Sequence, residues 1–398
     1  MSVRLSRPGG FVVAGLTMVG MMAAAAAPSP LYPIYQQLWG FSAFTLTVIF
    51  AVYVVALLAT LLTVGSLPDH VGRRPILIGG MVLLAIGMLL FVHASGTASL
   101  LLARIVQGVA TGAMTGAVSA LIVDLAPSPQ RGSMVSTGAP SFGLGVGAAL
   151  AGALVEYAPW PRYLVYWVLL AAYAVLAIAL LYVPEERDAP RPPMTVLLRS
   201  LRPSLGIAPQ TRPVLAGLVP AFVATWALGG LYLSLGSSVL AKLLGVTNHF
   251  VVGLVLAGFF VPAAFSLLVA GRIRAPHRRA VGLTLLGGGV AITVIGVLAA
   301  SLPVYLAGSL VAGAGFGITF LVAMGAIVAA TPPHSRAQTF ATVFVLNYTA
   351  FSVPAVLAGL AVQVWGLRPT LVGYGALEVV LVLLAAALAV RQHEGHGV

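Results

Sequence analysis

Residues 65–75 read GSLPDHVGRRP, a loop that gathers an acid, a histidine and two adjacent arginines in a chain whose charged residues make up only 7% of the total. Apolar runs flank it at 43–66 and 75–95. Each is long enough for a helix rising about 1.5 Å per residue to cross about 30 Å of hydrocarbon. The loop therefore reads as the turn of a membrane hairpin. Composition extends that reading to the whole chain, because 60% hydrophobic residues and a mean hydropathy of +1.07 lie far from any soluble domain.

Outward from the hairpin, hydropathy and breakers mark further apolar runs at 10–29, 99–125, 133–157 and 162–183, then at 213–240, 249–271, 280–300, 303–330, 338–364 and 369–390. The fold expected is all-α and integral to the membrane, with twelve transmembrane helices in two six-helix bundles. The first bundle spans 1–185 and the second 212–398, joined by a polar, proline-rich linker at 186–211. Placing both termini in the cytoplasm puts sixteen arginines on that side (Arg4, Arg7, Arg73, Arg74, Arg131, Arg187, Arg191, Arg199, Arg202, Arg212, Arg272, Arg274, Arg278, Arg279, Arg336 and Arg391). Only Arg162, Lys242 and Arg368 remain outside, the asymmetry of the positive-inside rule. The net charge of +12 is thus punctuation between spans and not a nucleic-acid patch. The basic start and apolar run at the N-terminus imitate a secretory signal, but the run is long enough to span. The absence of cysteine excludes disulfides, thiolate metal sites and a cysteine nucleophile.

At an offset of 205 residues the halves repeat: Arg73 and Arg74 fall on Arg278 and Arg279, Arg131 on Arg336, and Gly108 and Gly112 on Gly313 and Gly317. Two bundles with the same orientation are parallel repeats about an axis along the membrane normal, an arrangement suited to a rocking transporter. The halves diverge in polarity. Asp69 becomes Arg274, Gly72 becomes His277, Arg104 becomes Ser309, Gln107 becomes Ala312 and Asp124 becomes Ala329.

These motifs resemble those of the major facilitator superfamily. GSLPDHVGRRP after the second run looks like its loop signature, and RIVQG at 104–108 resembles a fourth-helix signature of the proton-driven efflux branch. GLGVGAALAG at 143–152 matches the fifth-helix glycine motif in part: Gly143, Gly145, Gly147 and Gly152 are kept, with Ala148 in the place of a proline and Ala151 in that of a glycine. The resemblance implies the twelve-helix drug/proton antiporter-like branch, and a conformational latch between bundles made of Gly65, Asp69, Gly72, Arg73 and Asp124. The alternative for the arginines is a topological anchor alone.

In the fourth run Arg104, Gln107, Gly108, Thr111, Thr115 and Ser119 recur at helical spacing as one polar or small stripe. An arginine at membrane depth costs at least about 2.5–3.5 kcal/mol and normally faces a cavity or a partner. Close helix packing by the small residues is the alternative. Glu378, midway along the last run on a face with Leu371, Tyr374, Gly375, Val382 and Ala385, is a candidate proton carrier; a neutral acid hydrogen-bonded between helices fits equally well. Glu156 ends the fifth run at a depth compatible with pairing to Arg104. Met18, Met21 and Met22, Trp226 and Tyr232, and Phe344, Asn347 and Phe351 are nominated to line an apolar substrate cavity, each weighed against an ordinary core role. No metal site is expected, since the histidines lack ligand spacing.

The function expected is secondary active export of a small, largely apolar molecule by alternating access, in exchange for protons, across a bacterial inner membrane. The alternatives are proton-coupled uptake, sugar or metabolite efflux, or a transport-inactive membrane sensor or scaffold. No enzyme active site emerges and no cofactor is called for: Lys242, the single lysine, is followed by Leu-Leu and forms no phosphate loop. The expected partners are substrate, protons and lipid, without nucleic acid, and the expected state is a monomer.

Overall fold

The computed structural model describes residues 4–184, 193, 195, 201–203 and 205–394. Most of the expected linker, with Arg187, Arg191 and Arg199, lies outside them. Among the described residues all regular structure is helical, and twelve helices are long and apolar enough to cross a membrane. They are α1 (Arg7–Ala26), α2 (Ala43–Val64), α3 (Arg73–Val92), α4 (Thr97–Leu125), α5 (Pro129–Tyr157), α6 (Leu164–Tyr182), α7 (Arg212–Leu243), α8 (His249–Ala270), α9 (Ala275–Leu298), α10 (Leu302–Ala330), α11 (Arg336–Trp365) and α12 (Leu367–Glu394). Helix is the only open structure that satisfies its own backbone in hydrocarbon.

Local chemistry sets the ends. Ser6, Ser128 and Asn248 cap α1, α5 and α8 by accepting from the amides of Gly9, Arg131 and Val251. Prolines open α1, α5, α7, α9 and α10, where a missing amide costs nothing. The first span departs from the expected run at 10–29. Its prolines end α1 but not the helical path, which continues through a 3-10 turn, Ser29–Leu31, into a short helix, Tyr32–Trp39. Pro33 sits in that helix's first turn, where its ring is tolerated.

The chain divides into two compact units, one of Met1–Leu31 with Ile49–Ser204, the other of Tyr32–Val48 with Leu205–Val398. In the first, Phe91 of α3 stacks on Tyr166 of α6 at 4.8 Å, and the Tyr173 hydroxyl of α6 donates to the Gly20 carbonyl of α1. In the second, Leu215, Leu218 and Phe222 of α7 close a core with Ala323 and Ile327 of α10 and Val343 of α11. The segment Tyr32–Val48 is tied into this second unit. Ser238 donates to Gln36, Gln363 donates to Ser42, and the Gly359 position has no room for a Cβ beside Thr47.

The internal repeat is visible in the packing. A Cβ at Gly108 or Gly112 of α4 would strike the carbonyls of Tyr53 and Leu57 in α2. A Cβ at Gly313 or Gly317 of α10 would strike those of Phe259 and Ala263 in α8. The two crossings coincide within one residue of the 205-residue offset. Replacing Gly112 or Gly317 by Val forces these backbones apart and should destabilise by about 1–3 kcal/mol or more, read as a lower unfolding midpoint in detergent. Gly79→Ala and Gly288→Ala, which meet open space, should leave the midpoint unchanged or raise it.

Candidate functional site

Arg104 is the largest fully buried side chain, with 0% exposure in the first unit. Its Nη1 donates to the Ala25 carbonyl at 3.0 Å and to Gln107 Oε1 at 2.7 Å. Gln107 Nε2 in turn donates to the Ala24 carbonyl at 2.7 Å. Sequence explains why α1 offers that acceptor: the residue four beyond Ala24 is Pro28, which has no amide hydrogen to give. The guanidinium also lies 5.3 Å from the Tyr53 ring centroid and 6.0 Å from that of Phe91. Charge-assisted hydrogen bonds at about 1.5–3 kcal/mol each, with cation–π attraction of about 0.5–2 kcal/mol, offset the insertion cost of a buried arginine. Thr111 and Thr115 carry the polar stripe onward by donating to the carbonyls of Gln107 and Thr111.

The charged loop is shaped by two glycines. Gly65 has no space for a Cβ beside the Leu61 carbonyl, and Gly72 holds φ at 95°, a conformation that side chains with a Cβ rarely adopt. Gly72 therefore breaks the helix between the acid and the arginine. Asp69 lies exposed in the short helix Leu67–Val71, and Arg73 is the first residue of α3. Arg73 forms an ion pair with Asp124, 24% and 54% exposed respectively, while Arg7 Nη2 donates to the Asp124 carbonyl at 2.9 Å. Two cations thus sit at the C-terminal end of α4, where the helix dipole and unpaired carbonyls favour them. Asp69 makes no ion pair among the described residues.

The retained glycines of the fifth-helix motif face α1: a Cβ at Gly143 or Gly147 would strike the carbonyls of Val19 and Ala23. Ala148 and Gly152 are buried as well. Met22 packs over Gly143, and Met18 is buried on the same helix. Glu156 is exposed in the last turn of α5.

In the second unit Glu378 is 1% exposed, and its Oε2 has no hydrogen-bond partner. Leu371, Tyr374, Val382 and Ala385 on its face are buried too, and the Tyr374 hydroxyl donates to the Ala227 carbonyl of α7 at 2.8 Å. The residues nominated to line a cavity fall into two groups. Tyr232 stacks on Phe259 at 4.3 Å, bonds Ser309 at 2.7 Å and borders a small cavity with Thr293, Tyr305 and Tyr374. Trp226 lies instead among Phe320, Tyr348 and Phe351, with Asn347 buried beside them, and Phe344 stacks on Tyr348 at 6.3 Å. Reading side chains alone misses the carbonyls of Ala24 and Ala25; Pro28 was the available signal for the first. Tyr53 was missed because an aromatic in an apolar run carries no mark of its partner.

The family model described as Major Facilitator Superfamily matches residues 13–247. Multidrug resistance protein 3 of Bacillus subtilis is 28% identical over 178 residues, 44% of this chain and 33% of that one. Multidrug resistance protein MdtL of Shewanella oneidensis is 32% identical over 152 residues, 37% of this chain and 38% of that one. An uncharacterized MFS-type transporter of Mycobacterium tuberculosis is 30% identical over 131 residues, 32% of this chain and 19% of that one. The chain therefore aligns with only about a fifth to two fifths of these relatives' lengths. The crystal structure of the human organic anion transporter MFSD10 (TETRAN) superposes with a TM-score of 0.67 at 17% identity, covering 96% of this chain and all of that one, a likeness of fold.

Energy at this site is expected to lie in the buried network and not in the surface pair. Gln107→Leu strands the Ala24 carbonyl and one arginine donor and should cost about 1–3 kcal/mol in chemical unfolding. Arg73→Ala, at a pair open to solvent, should cost about 1 kcal/mol or less.

Proposed function

Because the chain belongs to the Major Facilitator Superfamily, whose members are transporters and not enzymes, we propose that it exports a small, largely apolar molecule in exchange for protons. Alternating access would drive the exchange across a bacterial inner membrane, with both termini in the cytoplasm. The observation that carries the proposal is Arg104, a fully buried cation in the RIVQG stretch, held by neutral acceptors of α1 and α4. A charge kept at that depth by carbonyl and amide oxygens and by the Tyr53 and Phe91 rings is poised to respond when an anionic or protonatable group arrives nearby. The names of the two multidrug resistance relatives support the direction and the breadth of substrate.

Two further groups take roles in this scheme. Glu378 carries the proton: a buried carboxyl with an unpartnered oxygen has nothing fixed to hold its charge, so its ionisation follows the access of water to α12. Arg73 and Asp124, with the exposed Asp69 four residues before Arg73, form the latch; a partly exposed pair is weak enough to break in each cycle.

Growth inhibition of an efflux-deficient bacterial host across a broad compound panel tests the proposal. Wild type should protect against at least one apolar class, and Arg104→Ala at matched expression should not. Protection against no compound, with insertion verified, would overturn export. In proteoliposomes Glu378→Gln should abolish accumulation driven by a pH gradient while leaving counterflow of substrate intact. Equal loss of both would remove Glu378 from coupling.

A further inference from the structure

In the second unit an indole and a carboxamide are buried without partners amid aromatic rings. The Nε1 of Trp226 on α7 and both amide atoms of Asn347 on α11 are buried and lack any hydrogen bond. Asn347 is 0% exposed, and Trp226 is half-buried. The two stand at one level. One turn before Asn347, Val343 packs in the core that holds Phe222, one turn before Trp226. One turn after it, Phe351 meets Trp226 at 5.6 Å between centroids. Phe320 at 5.8 Å and Tyr348 at 5.1 Å complete an edge-on ring around the indole.

Of the buried hydroxyls nearby, Thr225 donates to the carbonyls of Ala221 and Phe222, and Ser352 to that of Tyr348, while those of Thr319 and Thr339 are unpartnered as well. The indole cannot back-bond as Thr225 and Ser352 do, and the carboxamide of Asn347 does not. Their unpaired state costs stability with no return from the fold, which is the mark of groups held for a ligand. The geometry points to a binding site in α7, α10 and α11 for a neutral, flat heteroaromatic molecule bearing an adjacent N–H and C=O, as in a lactam. The rings take its faces and edges. The carboxamide of Asn347 answers the N–H and C=O in the complementary sense, and the indole N–H adds a second donor to the carbonyl. Aromatic rings alone would suit a cation as well. But residues 205–398 encode only two acids, Glu378 and Glu394, and both lie on α12, not on the three helices of the site. This inference rests on the transport reading above for its use and adds the chemistry of the substrate.

Equilibrium binding to the purified full-length protein in nanodiscs tests it with three probes of one shape: 2-quinolinone, N-methyl-2-quinolinone and N-methylquinolinium. Wild type should bind 2-quinolinone about tenfold tighter than either analogue, the worth of one buried hydrogen bond. Asn347→Leu, which fills the same volume without polar atoms, should erase that preference and raise the unfolding midpoint. Trp226→Phe should weaken both carbonyl probes alike. Absence of 2-quinolinone binding, equal affinity for the three probes, a preference for the cation, or a preference that survives Asn347→Leu would each overturn the inference. Export and recognition separate cleanly: lactam-selective binding without protection in the growth panel removes export and keeps the site, and protection without lactam selectivity does the reverse.

Discussion

Everything in this protein depends on backbones that touch. Apolar side chains gain nothing by leaving lipid for one another, so helices in a bilayer hold together where small residues let main chains approach. Gly108 and Gly112 do this between α4 and α2, and Gly313 and Gly317 between α10 and α8. The third crossing is met differently in the two halves. Between α5 and α1 the glycines lie on α5, at Gly143 and Gly147; between α11 and α7 the glycine is Gly230 on α7, against the Phe351 carbonyl. The clearance is the same, and the residue that provides it has changed helix.

The first and fourth helices of each half are bridged in the same spirit. In the first unit the long side chain comes from the fourth helix, Arg104 reaching Ala25. In the second it comes from the first, Tyr232 reaching Ser309, the residue that stands where Arg104 would fall. One bridge is charged and the other neutral. The division of polarity between the halves is thus a matter of which helix supplies the reach, on a shared scaffold that tolerates either.

The spans were legible because the bilayer imposes a length and a composition that few soluble segments share, and the repeat because Gly108, Gly112, Gly313 and Gly317 cannot be exchanged without parting the backbones they join. The short helix Tyr32–Trp39 was not, since Pro28, Pro30 and Pro33 read as a stop when in fact they only interrupt the amide ladder. Arg104 and Gln107 announce themselves by their cost in an apolar run. Their acceptors do not, because carbonyls are present in every residue and only Pro28 hints which one is free. Separating Trp226 from Tyr232 needed the helix in three dimensions: six residues along α7 turn the two onto different neighbours, a distinction that a list of cavity-lining types does not carry.

Arg104 also bears on how the protein is made. Its acceptor on α1, the Ala25 carbonyl, and that of Gln107, the Ala24 carbonyl, are translated some eighty residues earlier, so by the time α4 leaves the ribosome both are already at membrane depth. The costly residue enters a bilayer in which its partner is waiting, and synthesis in the opposite order would have exposed a naked guanidinium to lipid. The amino-to-carboxyl direction of translation is in this sense part of the fold, and a version of the chain permuted to begin after α1 would be expected to stall at the insertion of α4.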